Sequence, residues 1–161
     1  MTMSQDARGL DSFEVRILQE LQQDSRLTAQ ELSEKVGLSA SPCWRRLKRL
    51  QDDGFIQRYT VLLDPQKAGV PECVFTHVTL TKHDLAGIEE FERAVSRRPE
   101  VLECYSTTGD ADYLLRVVAR DVRQYEQFLR DVIFTQKAVS QVKSNFALRA
   151  VKYETALPVH E

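Results

Sequence analysis

No stretch of this chain approaches the roughly 18 consecutive apolar residues that a bilayer-spanning helix needs, and residues 1–9 are polar, with no apolar leader core. The expectation is a cytoplasmic protein with no membrane partner. Cysteine is scarce as well. Cys43, Cys73 and Cys104 make an odd number, each lies inside an apolar pattern, and no close spacing pairs them. That excludes a disulfide framework and reads as reduced core thiols. Cys73 and His77 come nearest to a metal-ligand spacing, but a third and fourth ligand are missing, so no metal site and no cofactor are expected. A glycine-rich phosphate loop and a nucleophile set beside a base are also absent, which argues against an enzyme that would use Asp110 and Asp112 as a carboxylate pair. Charge of either sign is not in excess, the net value being −2.

What is present is an ordinary globular composition, 42% apolar in 161 residues, enough for one large domain or two small ones. The charges become informative when placed along the chain. Residues 1–60 hold nine cations and nine anions, yet Arg45, Arg46, Lys48 and Arg49 fall within about a turn and a half of one helix. Cys43, Trp44, Leu47 and Leu50 bracket them, so one side of that helix is apolar and another cationic. The helix follows a second short helical pattern, residues 28–36, across Gly37, which suits a sharp turn. This is a helix-turn-helix pattern, and double-stranded DNA is the expected partner. Ser39, Ala40 and Ser41 would lie nearest the bases, with Trp44, Arg45, Arg46, Lys48 and Arg49 completing the contact set and Arg45 and Arg49, four apart, sharing a face.

Local signals fill in the rest of the first half. Asp11 reads as the N-cap of a helix carrying Phe13, Ile17, Leu18 and Leu21, and Thr28 with Glu31 as a capping box. Ser39 or Ser41 would cap the third helix, Pro42 fits its first turn, and Gly54 ends it. Residues 55–63 alternate enough for a strand or short wing. The domains read as 1–60 for DNA binding, 61–72 as a linker broken by Asp64-Pro65 and Gly69-Val70-Pro71, and 73–161 for the second domain.

In that second domain the expected order is a strand at 74–81, a helix capped by Asp84, strands at 101–107 and 113–119, a helix capped by Asp121, and a strand at 139–148. The order βαββαβ is the ferredoxin-like arrangement, so the fold class is α+β. Strands with apolar residues on both faces suit a sheet covered by helices on one side and by a partner sheet on the other. His77 reads as a core or interface residue, and His83 and His160 as exposed. At least a dimer is expected, because a reader of about 60 residues makes few base contacts alone.

The motifs taken together resemble the leucine-responsive/asparagine-responsive (Lrp/AsnC) bacterial transcription regulators over nearly the whole length. They are Leu10-Asp11 with Ile17-Leu18, residues 26–32, residues 36–39 with Ser41-Pro42-Cys43, residues 54–59, residues 109–115, and Val151-Lys152. The resemblance implies a winged helix-turn-helix reader joined to a βαββαβ amino-acid-sensing domain. It also implies a homo-oligomer, dimers assembling to tetramers or octamers, and control of amino-acid metabolism or transport. An architectural DNA-wrapping protein with little effector dependence is the alternative. By resemblance the effector set is Ser106, Thr107, Gly109, Asp110, Asp112, Val122, Asn145, Phe146 and Ala147. The ammonium would fall to Asp110 or Asp112, and the polar Ser106 and Asn145 suggest a ligand other than leucine. The chain departs from the family at residues 135–138, where a Pro-Gly turn is usual, and at Trp44, where a smaller aliphatic residue is.

Overall fold

Capping chemistry fixes where the first helices begin. Glu14 N–H donates to Asp11 Oδ1 at 2.8 Å and Asp11 N–H donates to Glu14 Oε2 at 2.9 Å, a reciprocal pair that satisfies amides the helix cannot. From there α1 runs over Ser12–Gln23. Thr28 and Glu31 repeat the device ahead of α2, Ala29–Val36. Gly37 ends α2 at φ 74°, a left-handed conformation that strains any other residue, and Leu38 N–H reaches back to Ser33 O at 2.9 Å. α3 is Ala40–Asp52; Ser39 holds its N-cap position by backbone conformation, with no side-chain cap hydrogen bond.

The computed structural model describes residues 9–81 and 85–160. It divides into two units, one of residues through Val61 together with those from Lys152, the other of Leu62–Val151. In the first unit Ile17, Leu18, Leu32, Val36, Cys43 and Leu50 close on one another, each fully buried aliphatic side chain contributing about 1.5–3 kcal/mol. The alternation at residues 55–63 suggests a strand, but the segment forms none, and Phe55, Val61, Leu62 and Leu63 are exposed. An isolated extended segment has no ladder to bond to.

By its contacts the chain's last described stretch groups with this unit. Gln22 Nε2 donates to Leu157 O at 3.0 Å, Leu157 N–H donates to Gln22 Oε1 at 2.6 Å, and Val159 packs on the reader's core.

The second unit is a four-stranded antiparallel sheet in the order β2-β3-β1-β4, with β1 Glu72–Leu80, β2 Val101–Ser106, β3 Tyr113–Ala119 and β4 Val139–Phe146. Its helices are α4, Leu85–Ser96, and α5, Val122–Phe128, capped by Asp121 as its spacing predicts and continued by a π-helical turn over Leu129–Ile133. The cap expected at Asp84, and His83, lie outside the described residues. The architecture is the α+β βαββαβ arrangement. Period-two alternation sends Val74, Thr76, Val78 and Leu80 of β1, with Tyr113, Leu115, Val117 and Ala119 of β3, to the helix-covered face, where they meet Phe91, Val95, Tyr125, Phe128 and Ile133. Thr76 is polar and fully buried there. It is satisfied through Tyr125, whose hydroxyl lies 2.8 Å from Thr76 Oγ1 and 2.5 Å from Ser144 Oγ.

At residues 135–138, Gln136 folds back so that its Nε2 donates to Val132 O at 3.0 Å, while Val139 N–H donates to Gln136 O at 3.1 Å. Of the three thiols only Cys43 is buried. Cys73 is half-buried and Cys104, on the edge strand β2, is exposed, so the reading of all three as core is corrected.

Candidate DNA-reading helix and effector cleft

At about 100° per residue, the four cations of α3 cannot share one direction, and the structure divides them. Arg45 is exposed and makes no ion pair among the described residues. Lys48 is exposed beside Asp52, 3.3 Å away, in a solvated i,i+4 pair of small energetic worth. Arg46 turns toward α1: its Nε lies 3.2 Å from Asp11 Oδ2 and its guanidinium 5.5 Å from the centre of the Phe13 ring. Arg49 is held by two carboxylates, Glu14 Oε1 at 2.5 Å from Nη1 and Asp53 Oδ2 at 3.0 Å from Nε. Burial alone would raise the Asp11 pKa, but the Glu14 N–H and the Arg46 guanidinium together hold its carboxyl below the ordinary aspartate value. The Arg49 guanidinium is pushed up, first by its hydrogen bond to Asp53 and then, against desolvation, by Glu14. Ser39, Ala40, Ser41 and Trp44 are all exposed along the first part of α3.

In the second unit, the sheet face away from the helices carries a cleft of about 400 Å³. Register builds its floor. His77 of β1 stands opposite Leu114 of β3 on one side and Lys143 of β4 on the other, while Thr79 stands opposite Gln141. The β2–β3 turn supplies the rim with Thr107, Thr108, Asp110 and Ala111, and Asn145 closes the far end, its Nδ2 within 3.5 Å of His77 Nδ1. Thr107 Oγ1 donates to Ala111 O at 2.7 Å and Thr79 Oγ1 to Asp110 O at 3.3 Å, which fixes the turn over the sheet. Gly109 has φ 115°, the conformation that favours glycine there.

Of the nine candidate effector residues, the cleft collects Thr107, Asp110 and Asn145. Gly109 only shapes the turn. Ser106 pairs with Tyr113 in register and so points to the helix-covered face. Phe146 pairs with Val74 on the same face and meets Tyr125 edge-on, at 5.3 Å between ring centres. Val122 belongs to α5, and Ala147 lies past the end of β4, where its N–H bonds Cys73 O. Asp112 is engaged in the fold: its Oδ2 accepts the Leu80 N–H at 2.7 Å and its own N–H donates to Val78 O at 3.0 Å.

Cleft residues that the sequence did not single out as ligands are His77, Thr79, Thr108, Ala111, Leu114, Gln141 and Lys143. Alternation along β1 gives the face of His77 and Thr79, but only the register between β1 and β4 brings Lys143 to His77. Among the described residues no cluster of His, Cys, Asp and Glu could hold a metal ion, and no helix is long and apolar enough to cross a membrane.

A cationic helix on a three-helix head, carried in one chain with a sheet unit that holds a polar cleft, defines a transcription regulator that joins DNA binding to ligand binding. Known proteins agree. Residues 10–57 match the winged helix-turn-helix DNA-binding family and residues 73–157 the Lrp/AsnC ligand-binding domain. The glutamate uptake regulatory protein of Zymomonas mobilis is 38% identical over 154 residues, spanning 96% of this chain and 93% of its own length. The DNA-binding transcriptional activator DecR of Escherichia coli K12 is 38% identical over 150 residues, spanning 93% and 99%. A transcriptional regulator of Neisseria meningitidis, solved as a complex with L-Met, superimposes with a TM-score of 0.88 at 39% identity, covering 92% of this chain and 96% of its own. This chain belongs to the Lrp/AsnC family of DNA-binding transcriptional regulators, which are not enzymes.

Proposed function

We propose that this protein regulates genes of amino-acid metabolism or transport in the cytoplasm, reading DNA with the exposed face of α3 and answering to an amino acid with a polar side chain bound in the sheet cleft. The observation that carries the effector class is the cleft's composition. Asp110 offers an anion for a ligand ammonium and Lys143 a cation for its carboxylate. Beside the apolar Ala111 and Leu114, the lining carries His77, Thr79, Gln141 and Asn145, hydrogen-bonding groups that a leucine side chain would not engage. The Neisseria relative was solved with L-Met, which supports an amino acid as the ligand class. Function as a homo-oligomer is supported by the open sheet face, where Phe75, Tyr105, Leu114 and Val118 lie uncovered by any helix.

Calorimetry against each of the twenty amino acids tests the reading. The expected result is one or a few polar ligands, each shifting the footprint on a bound promoter by a coupling of about 1–3 kcal/mol. Leucine as the single tight ligand would overturn the effector assignment. A footprint that spreads over every duplex and ignores all twenty would favour the architectural role.

A further inference from the structure

We infer that Asp11 and Glu14 are positioning residues for the DNA-reading helix. They withdraw Arg46 and Arg49 from the duplex and leave Arg45 and Lys48 as the cations of α3 that meet phosphates. The inference deepens, and rests on, the DNA-reading role of α3 proposed above.

Glu14 is the anchor. It is 1% exposed, yet carries a carboxylate, and both of its oxygens are engaged: Oε2 accepts the Asp11 N–H that starts α1, and Oε1 accepts Arg49 Nη1. If Arg49 swung out to a phosphate, that carboxylate would be left buried without its cation, whereas the new pairing with phosphate would be exposed and screened by salt. The balance keeps Arg49 where it is. Asp11, whose side chain is 42% exposed, holds Arg46 by a weaker, partly solvated pair, with the Phe13 ring as a second surface under the guanidinium. Thus α1 and its N-cap grip α3 through two ion pairs, each joining residues 35 apart in sequence. Two such grips on neighbouring turns set the roll of α3 about its own axis, which decides the side chains that face outward. At about 100° per residue, Ser41, Arg45 and Lys48 fall within about 60° of one another, while Arg49 lies about 40° and Arg46 about 100° beyond Arg45. It is therefore the ion pairs with Glu14 and Asp11, more than helix phase, that turn those two side chains to the flank beside α1. The four-cation cluster read from sequence is, in its effect on DNA, a two-cation stripe on a charge-locked helix.

The test is fluorescence anisotropy of the full chain over a series of salt concentrations, on a duplex selected from random sequence by the wild-type protein and on a mixed-sequence duplex. R45A and K48A are each expected to reduce the log–log salt slope by about 0.9 per reader engaged. R46Q and R49Q, which retain a donor for the carboxylates, are expected to leave the slope unchanged while weakening binding to the selected duplex. E14Q keeps the shape of the side chain but removes the buried charge and leaves Arg49 with Asp53, a half-exposed i,i+4 pair of small energetic worth. The slope on the mixed-sequence duplex therefore steepens by up to about 0.9 per reader, and the ratio of selected to mixed affinity falls. The double variant E14Q/R49Q returns the slope to that of the wild type. A merely structural carboxylate would lower the melting temperature and leave the slope alone. Arg49→Gln flattening the slope as much as Arg45→Ala overturns the inference, as does E14Q with the wild-type slope and ratio. If E14Q does not fold, R46Q and R49Q decide the matter alone. Wild-type protein that binds neither duplex would instead refute the DNA-reading role itself.

Discussion

Replacing Asp112 separates a residue that builds the cleft from one that holds the ligand. Its Oδ2 accepts the Leu80 N–H at 2.7 Å, its N–H donates to Val78 O at 3.0 Å, and its carbonyl accepts the Thr107 N–H at 2.9 Å, so the ends of β1, β2 and β3 are tied at this residue. Leu80 is 4% exposed, and in Asp112→Ala its amide loses a charged acceptor without gaining water. Such a loss costs about 1.5–3 kcal/mol. The sheet unit spans Leu62–Val151, in the size class where 1 kcal/mol moves Tm by about 4–8 °C, so Asp112→Ala should melt about 10 °C lower. Asp112→Asn keeps an oxygen for the amide and should cost less than about 1 kcal/mol. Calorimetric melting gives both values, and hydrogen exchange at the Leu80 amide localises the effect. Because the side chain is engaged by β1, Asp112→Asn should also bind effector within about threefold of the wild type, less than 1 kcal/mol, whereas Asp110→Asn should not. Wild-type melting of Asp112→Ala, or an Asp112→Asn protein that folds normally but binds no effector, would refute this reasoning.

Arg45→Ala is expected to weaken binding to the selected duplex by about 1–3 kcal/mol with the fold intact, measured by anisotropy and circular dichroism. Removal of residues 152–161 takes away the Gln22–Leu157 hydrogen bonds and the partly buried Val159. It should destabilise the reader by about 1–2 kcal/mol, followed by the fluorescence of Trp44, the only tryptophan, while the sheet unit melts unchanged. Burial, followed by its hydrogen bond to Glu92, pushes the Tyr113 hydroxyl up to about 12. A raised folded-state value means that this stabilisation is complete below the unfolded tyrosine value of about 10 and is lost as pH rises through about 12. Urea midpoints should therefore fall over that window in the wild type and by less in Tyr113→Phe; identical profiles would remove Tyr113 as the cause.

How far the sequence carries depends on the distance over which each feature is written. Thr28 with Glu31, Gly37, and Asp121 are read correctly because each acts within four residues of itself, where helix geometry alone decides the partner. The βαββαβ order is likewise legible, since alternation in 113–119 and helical spacing in 122–132 are local patterns. The strand suggested by residues 55–63 is not formed, for the same reason in reverse: alternation is local, but a strand needs a neighbour the pattern does not name. Both sites lie at that longer range. Asp11 is read as an N-cap, and it is one, yet its second role toward Arg46 needs a contact 35 residues away; Glu14 looks like a solvated glutamate until α3 covers it. His77 reads as a core or interface residue because nothing nearby in sequence completes a site, and only the β1–β4 register sets Lys143 opposite it and Asn145 beside it. A one-residue slip in that register would turn Lys143 and Asn145 to the helix face and bring Ser144 into the cleft. What holds the register on the covered side is the Thr76–Tyr125–Ser144 hydroxyl chain. The pairing that sets Lys143 and Asn145 on the open face is thus backed from the other face by hydroxyls, of which those of Thr76 and Tyr125 are buried.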